Sequence, residues 1–180
     1  MTDNTANPQP SSSEENSTPS TKATIPDSPV LEVTLDRLGD ILSAENLAYR
    51  IDSMDDSIAD DGRVLRTGFS NAMITFHIHN NNLFVDAMWR GQFSPEQGTD
   101  VLFLTNQWNA ENFNPTLRFF ETQNQQLAIA ASRLMDISCG ASRNQLGSFA
   151  TTTFDAILTA FNFVETKHPE TVTWETPNHD

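Results

Sequence analysis

Residue types able to do chemistry are found in four places in this sequence. His77 and His79 in "HIH" alternate along what reads as a strand, so both imidazoles point to one face, a spacing some metal sites use. Asp86, on the neighbouring strand, could be brought near them, but no third ligand is evident. Two histidines on a wet sheet face are then ordinary solvated side chains, and no metal is expected. The acidic run "DDSIADDG", 55–62, invites a calcium-loop reading that fails by position. With Gly62 in the sixth place, the first and third are Ser57 and Ala59, and the twelfth is Gly68 where a bidentate Glu belongs. A solvated acidic turn accounts for the run. Cys139 has no histidine close in sequence and no nucleophile signature around it, so it reads as a small structural residue.

The fourth place is "DAMWRGQFSP", residues 86–95. An arginine beside a tryptophan at a strand end can bind an anion or stack on a planar group. The architectural reading is that Trp89 ends a strand as a packing anchor, Gly91 lets the backbone turn, and Arg90 braces the turn or faces a partner. Arg90 could pair with Asp86 or Asp136. The sequence contains no GxxxxGK[ST], GxGxxG, GxSxG or HExxH motif, so no catalytic residue and no cofactor are expected, and the chain is not read as an enzyme.

The elements that must position these residues are legible from periodicity. Leu35, Leu38, Ile41 and Leu42 recur at helical spacing and predict a first helix, after which "LAYRID" reads as a short strand. The stretch from Val64, then "NAMITFHIH" and "LFVDAMW", are strand-like, with "NNN" at 80–82 as a hairpin signal. Ile74, Phe76 and Ile78 share the core face, and Thr75, His77 and His79 the wet one. "SPEQ" starts a second helix with a capping box, carrying Val101, Leu102, Leu104 and Trp108 to about Asn112, and Pro115 follows. Trp108 is expected in the core, and Asn106, Asn109 and Asn114 can bond backbone where the helix leads into the next strand. "TLRFFET" and "LAIAASRL" form a second hairpin around "QNQQ". A last helix opens on the box Ser142 to Gln145 and presents Leu146, Phe149, Thr153, Ile157, Phe161 and Val164 before stopping near Lys167, His168 and Pro169. The expected fold is α+β: a curved antiparallel sheet of about five strands with three helices on one side, ordered helix, three strands, helix, two strands, helix.

Residues 1–29 have almost no large apolar side chain and read as a disordered N-terminal tail, 30–169 as the domain, and 170–180 as a C-terminal tail. Trp174 within that tail either docks onto the domain, serves as a short linear motif, or is incidental. The 180 residues suit one domain, and 24 acidic against 10 basic side chains give a net charge of −14. That field repels nucleic acid and anionic membranes. The N-terminus lacks the parts of a signal peptide, no apolar run approaches a bilayer span, and one cysteine fits a reducing compartment, so a cytoplasmic location is expected.

The ordered set "NAMITFHI", "LFVDAMWRG", "TNQWNAENFNPT" and "GASRNQLGSF", across about 34–168, resembles the YbjN family, labelled as proposed bacterial sensory transduction regulators, and especially its short actinobacterial members. The resemblance implies an α+β fold like that of type III secretion chaperones, which commonly form dimers and bind other proteins. The turn "TQNQQ" departs from relatives, which often place an acidic residue and glycine there. A non-catalytic, chaperone-like or regulatory protein is therefore expected, a homodimer that binds an unidentified protein partner, with no nucleic acid and no membrane. The residues expected at its binding surface are Trp89, Arg90, Asp86, His77, His79, Trp108 and Asn109. The alternative is a small-ligand sensor in which Arg90, His77, His79 and Asp86 converge on the open sheet face.

Overall fold

A computed structural model of the chain describes residue 1 and residues 27–54 and 58–174. The tails expected at 1–29 and 170–180 therefore lie mostly outside the described residues, as do Asp55, Asp56 and Ser57 of the acidic turn.

The first helix, α1 (Leu35–Ala44), is capped by the Thr34 hydroxyl, which accepts from the Arg37 N–H, and it buries Leu35, Leu38, Ile41 and Leu42. Four strands follow: β1 (Arg50–Ser53), β2 (Arg63–Phe69), β3 (Ala72–His79) and β4 (Asn82–Phe93). A 3₁₀ turn at Pro95–Gln97 leads into α2 (Gly98–Glu111), then β5 (Thr116–Glu121), β6 (Leu127–Asp136), α3 (Arg143–Lys167) and a short 3₁₀ turn at Pro169–Thr171. All strand pairs are antiparallel, in the order β1-β2-β3-β4-β6-β5. The α+β expectation holds, with one correction: the sheet has six strands, because the short "LAYRID" segment contributes β1 and four strands rather than three precede α2.

The β3–β4 hairpin turns on Asn80 and Asn81, whose φ of 49° and 59° place both in the left-handed region. Two such residues make the turn whose twist matches the flanking strands, and asparagine tolerates it better than other non-glycine residues. The β5–β6 hairpin uses a different solution. The Gln125 N–H donates to the Thr122 carbonyl at 2.9 Å, and Gln125 itself sits at φ 59°. The amide-rich "TQNQQ" thus adopts a conformation that would suit glycine.

Side-chain alternation sends Leu65, Ile74, Phe76, Val85, Ala87, Trp89, Leu117, Ile129 and Ala131 to one face of the sheet, where the helices cover them. Phe76, Phe93 and Phe161 are among the largest fully buried side chains, each contributing on the order of 2–3 kcal/mol of burial. Helix α3 contributes Leu146, Phe149, Phe154, Ile157, Phe161 and Val164 to this core, and α2 contributes Val101, Leu104 and Trp108. Leu102, expected among the packed residues of α2, is instead exposed, because the neighbouring turns already place Val101 and Leu104 inward. Cys139, expected as a small structural residue, lies exposed after β6.

The folded body runs further than 30–169 at both ends. Asp27 accepts from the Ser142 hydroxyl at 2.6 Å and from the Asn144 N–H at 3.0 Å, placing a carboxylate over the N-terminus of α3. At the other end Trp174 is buried against the core. Among the described residues, no helix is long and apolar enough to cross a membrane.

Candidate functional site

The Trp-Arg-Gly element is a bulge inside a continuing strand, which corrects its reading as a strand end. In the β4–β6 ladder Met88 faces Ala130, but the next aligned pair is Gln92 with Ala128, so β4 spends four residues where β6 spends two. An excess of two preserves the alternation: Trp89 and Phe93 stay on the core face and Gln92 on the other. Gly91 does not turn the chain. Its ideal Cβ would lie 2.2 Å from the Trp89 ring, so glycine leaves the space into which the indole folds back.

Trp89 is 2% exposed and so cannot belong to a contact surface as expected. Its Nε1–H donates to Glu165 Oε1 at 3.0 Å, and the Asn71 side-chain amide donates to the same oxygen at 2.7 Å. Trp174 stacks edge-on against Trp89 at 5.8 Å. Arg90 pairs with neither Asp86 nor Asp136: its guanidinium donates to the Ser70 carbonyl at 3.2 Å and lies 5.8 Å from the Trp174 ring centre. Arg90 therefore clasps the C-terminal segment and the β2–β3 turn.

Trp108 and Asn109 fasten α2 to the edge strand. The Trp108 Nε1–H donates to the Pro115 carbonyl at 2.8 Å. Asn109 donates from Nδ2 to the Leu117 carbonyl and accepts at Oδ1 from the Leu117 N–H, both at 2.8 Å. One side-chain amide thus imitates a neighbouring strand and closes part of the β5 edge. The bonds expected from Asn109 are made, and they serve the backbone of the edge strand.

His77, His79 and Asp86 stand on the sheet face away from the helices but do not converge. His77 is nearly buried, its ring stacked flat on Phe84 at 5.1 Å, and burial pushes its pKa below the ordinary value, with the Asp86 charge opposing and His79 adding to the fall. It is therefore neutral near pH 7. His79 Nδ1 lies 2.9 Å from Asp60 Oδ1, and Asp86 pairs with Arg118 at 2.8 Å. Each group has its own partner, so the four polar residues of the ligand-sensor alternative build no common pocket. Among the described residues no group of three His, Cys, Asp or Glu is placed to hold a metal ion.

What the open face does hold is an apolar surface with a cleft in it. Registers place Met73 beside Met88, and Phe84 beside both His77 and Leu134, all on this uncovered side. Leu134 is 56% and Met73 49% exposed. A cleft of about 560 Å³ is lined by Phe84, Asp86, Phe113, Thr116, Arg118 and Leu134 among others. Phe113, in the loop after α2, stands 96% exposed at its rim. Of these, sequence reasoning found only Asp86. The signal was available in the alternation of "NLFVDAM" and "TLRFFE", which puts Phe84, Met88 and Phe120 on the same side as Asp86 and Arg118. Apolar residues at supposedly wet positions were the sign of a surface meant to be covered.

No family model and no curated protein sequence matches this chain. Among solved structures it is similar to the crystal structure of YbjN from E. coli, a proposed transcription regulator. The TM-score is 0.63 at 11% identity, covering 78% of this chain and 96% of that one. At that identity the likeness establishes a shared fold.

Proposed function

We propose that this chain is a non-catalytic protein-binding module of regulatory type whose contact surface is the open face of its sheet. The observation that carries the reading is a set of large apolar side chains on the side of the sheet away from the helices, Met73 and Leu134 exposed and Phe84 and Met88 half-buried. Exposed apolar surface of this extent is costly in water and is characteristic of surfaces that bind. The fold likeness to YbjN supports a regulatory role, and the ordered sequence set supports a finer kinship with the short actinobacterial members and their chaperone-like relatives. A charge of −14 favours output through protein contact over direct binding to DNA.

The test is site-specific photo-crosslinking with a benzophenone amino acid in the native cell. Placed at Leu134 or Phe113, the probe is expected to capture discrete protein adducts that disappear when Phe84→Asp is added. Placed at Thr151, exposed on α3, it is expected to capture none. Equal labelling from both faces, or none from the open face, overturns the reading.

A further inference from the structure

Resting on that reading, we infer that the occupant of the open face is a second copy of the same chain, joined by a two-fold contact that seats Phe113 of each copy in the cleft of the other. Three observations lead there. A knob and a hole lie side by side: Phe113, 96% exposed, borders a cleft of about 560 Å³ walled by Phe84 and Leu134. A two-fold axis turns any such adjacent pair into reciprocal insertion, since residue i meets j and j meets i. The cleft also carries a charge pair with the same property. Asp86 and Arg118 are 2.8 Å apart and 34% and 53% exposed, so in a symmetric contact Arg118 of one copy can reach Asp86 of the other.

The third observation is electrostatic. Two bodies of charge −14 repel unless they meet where charge is balanced. Outside the β4 bulge, the strand residues of the open face present Arg50, Arg66 and Arg118 against Asp52, Asp86 and Asp136, three of each sign. This surface is neutral in an otherwise acidic molecule and suits an equally acidic partner carrying the same neutral face.

The other exposed apolar group, Leu102 and Phe103 on α2, borders a groove of about 500 Å³ with Asp100, Lys167 and His168. Its opposite charges, Asp100 and Lys167, form no ion pair, whereas Asp86 and Arg118 already meet at 2.8 Å within their cleft, and the test below includes both faces.

The experiment uses the full chain and measures mass by light scattering and sedimentation across concentration. The unmodified protein is expected to be dimeric. Arg118→Asp and Asp86→Arg, at half-exposed sites, should each fold, as circular dichroism would verify, and each should dissociate by on the order of tenfold or more in Kd because like charges now face across the axis. Mixed in equal amounts they should restore a dimer, an acidic cleft meeting a basic one. Phe113→Ser, whose side chain supports nothing in the fold, should also weaken association. A monomer at every concentration, a dimer insensitive to all three changes, or a dimer lost instead through Phe103→Ser overturns the inference. Crosslinks from Leu134 to a different protein, with the unmodified chain monomeric, would overturn the second-copy assignment while leaving the binding face standing.

Discussion

Replacing Gly91 by alanine adds one methyl group where the backbone and the Trp89 ring leave no room for it. The new Cβ would lie 2.2, 2.4 and 2.5 Å from three carbons of the Trp89 ring, far inside contact distance. The ring has nowhere to retreat: Phe93 lies 5.5 Å away on one side, Trp174 5.8 Å on another, and the indole N–H is held by Glu165. Overpacking of this kind costs about 1–3 kcal/mol. Displacing the indole also breaks its bond to a carboxylate, worth roughly 1.5–3 kcal/mol. Gly91→Ala is therefore expected to lose about 3–5 kcal/mol, a large share of the stability of a domain this size. Urea unfolding followed by circular dichroism measures it. The diagnostic is a double-mutant cycle: in a Trp89→Leu background, where the ring is gone, adding Gly91→Ala should cost less than about 1 kcal/mol. Gly147→Ala is the control, since its Cβ would meet Ile41 at an ordinary 3.6 Å within α3. It should stabilise by about 0.5–1 kcal/mol. A Gly91→Ala protein within about 1 kcal/mol of the parent, or additive effects in the cycle, would refute the steric account of the bulge.

Other expectations follow from single contacts. Asn109→Ala leaves the N–H and carbonyl of Leu117 without their partner and should cost ~2–3 kcal/mol. Asn109→Asp should recover little, because a carboxylate cannot donate to the Leu117 carbonyl; thermal unfolding compares them. Gln125→Gly relieves the left-handed φ of 59° and should raise stability by about 0.5–1 kcal/mol in the same assay, whereas a loss would show that the turn is not built this way. The Ser142 hydroxyl, then the Asn144 N–H, hold the Asp27 carboxyl below its ordinary pKa. A carboxylate depressed in the folded state stabilises above its unfolded pKa and loses that contribution as pH falls through the folded value. The stability difference between the parent and Asp27→Asn should hold near neutrality and shrink below about pH 4. A difference independent of pH would place Asp27 away from the helix end.

The sequence by itself determined the elements, because each carries a local signal. The apolar spacing of Leu35, Leu38, Ile41 and Leu42, the capping boxes at Ser94 and Ser142, and the alternation in "AMITFHIH" are consequences of helix and strand geometry acting over a few residues. It also determined which side of β3 meets the core. Tertiary structure alone decided what Trp89, Arg90 and Gly91 do. A bulge is a mismatch between two strands, and nothing within "WRG" states that β6 will advance two residues while β4 advances four. Tertiary structure likewise decided that Trp174, in a polar segment, packs on Trp89, and that Asp27 sits over a helix more than a hundred residues away. The candidate site was hidden for a related reason. Period-2 alternation says which residues share a face, but only the placement of all three helices on one side of the sheet left Phe84, Met88 and Leu134 without a layer packed over them.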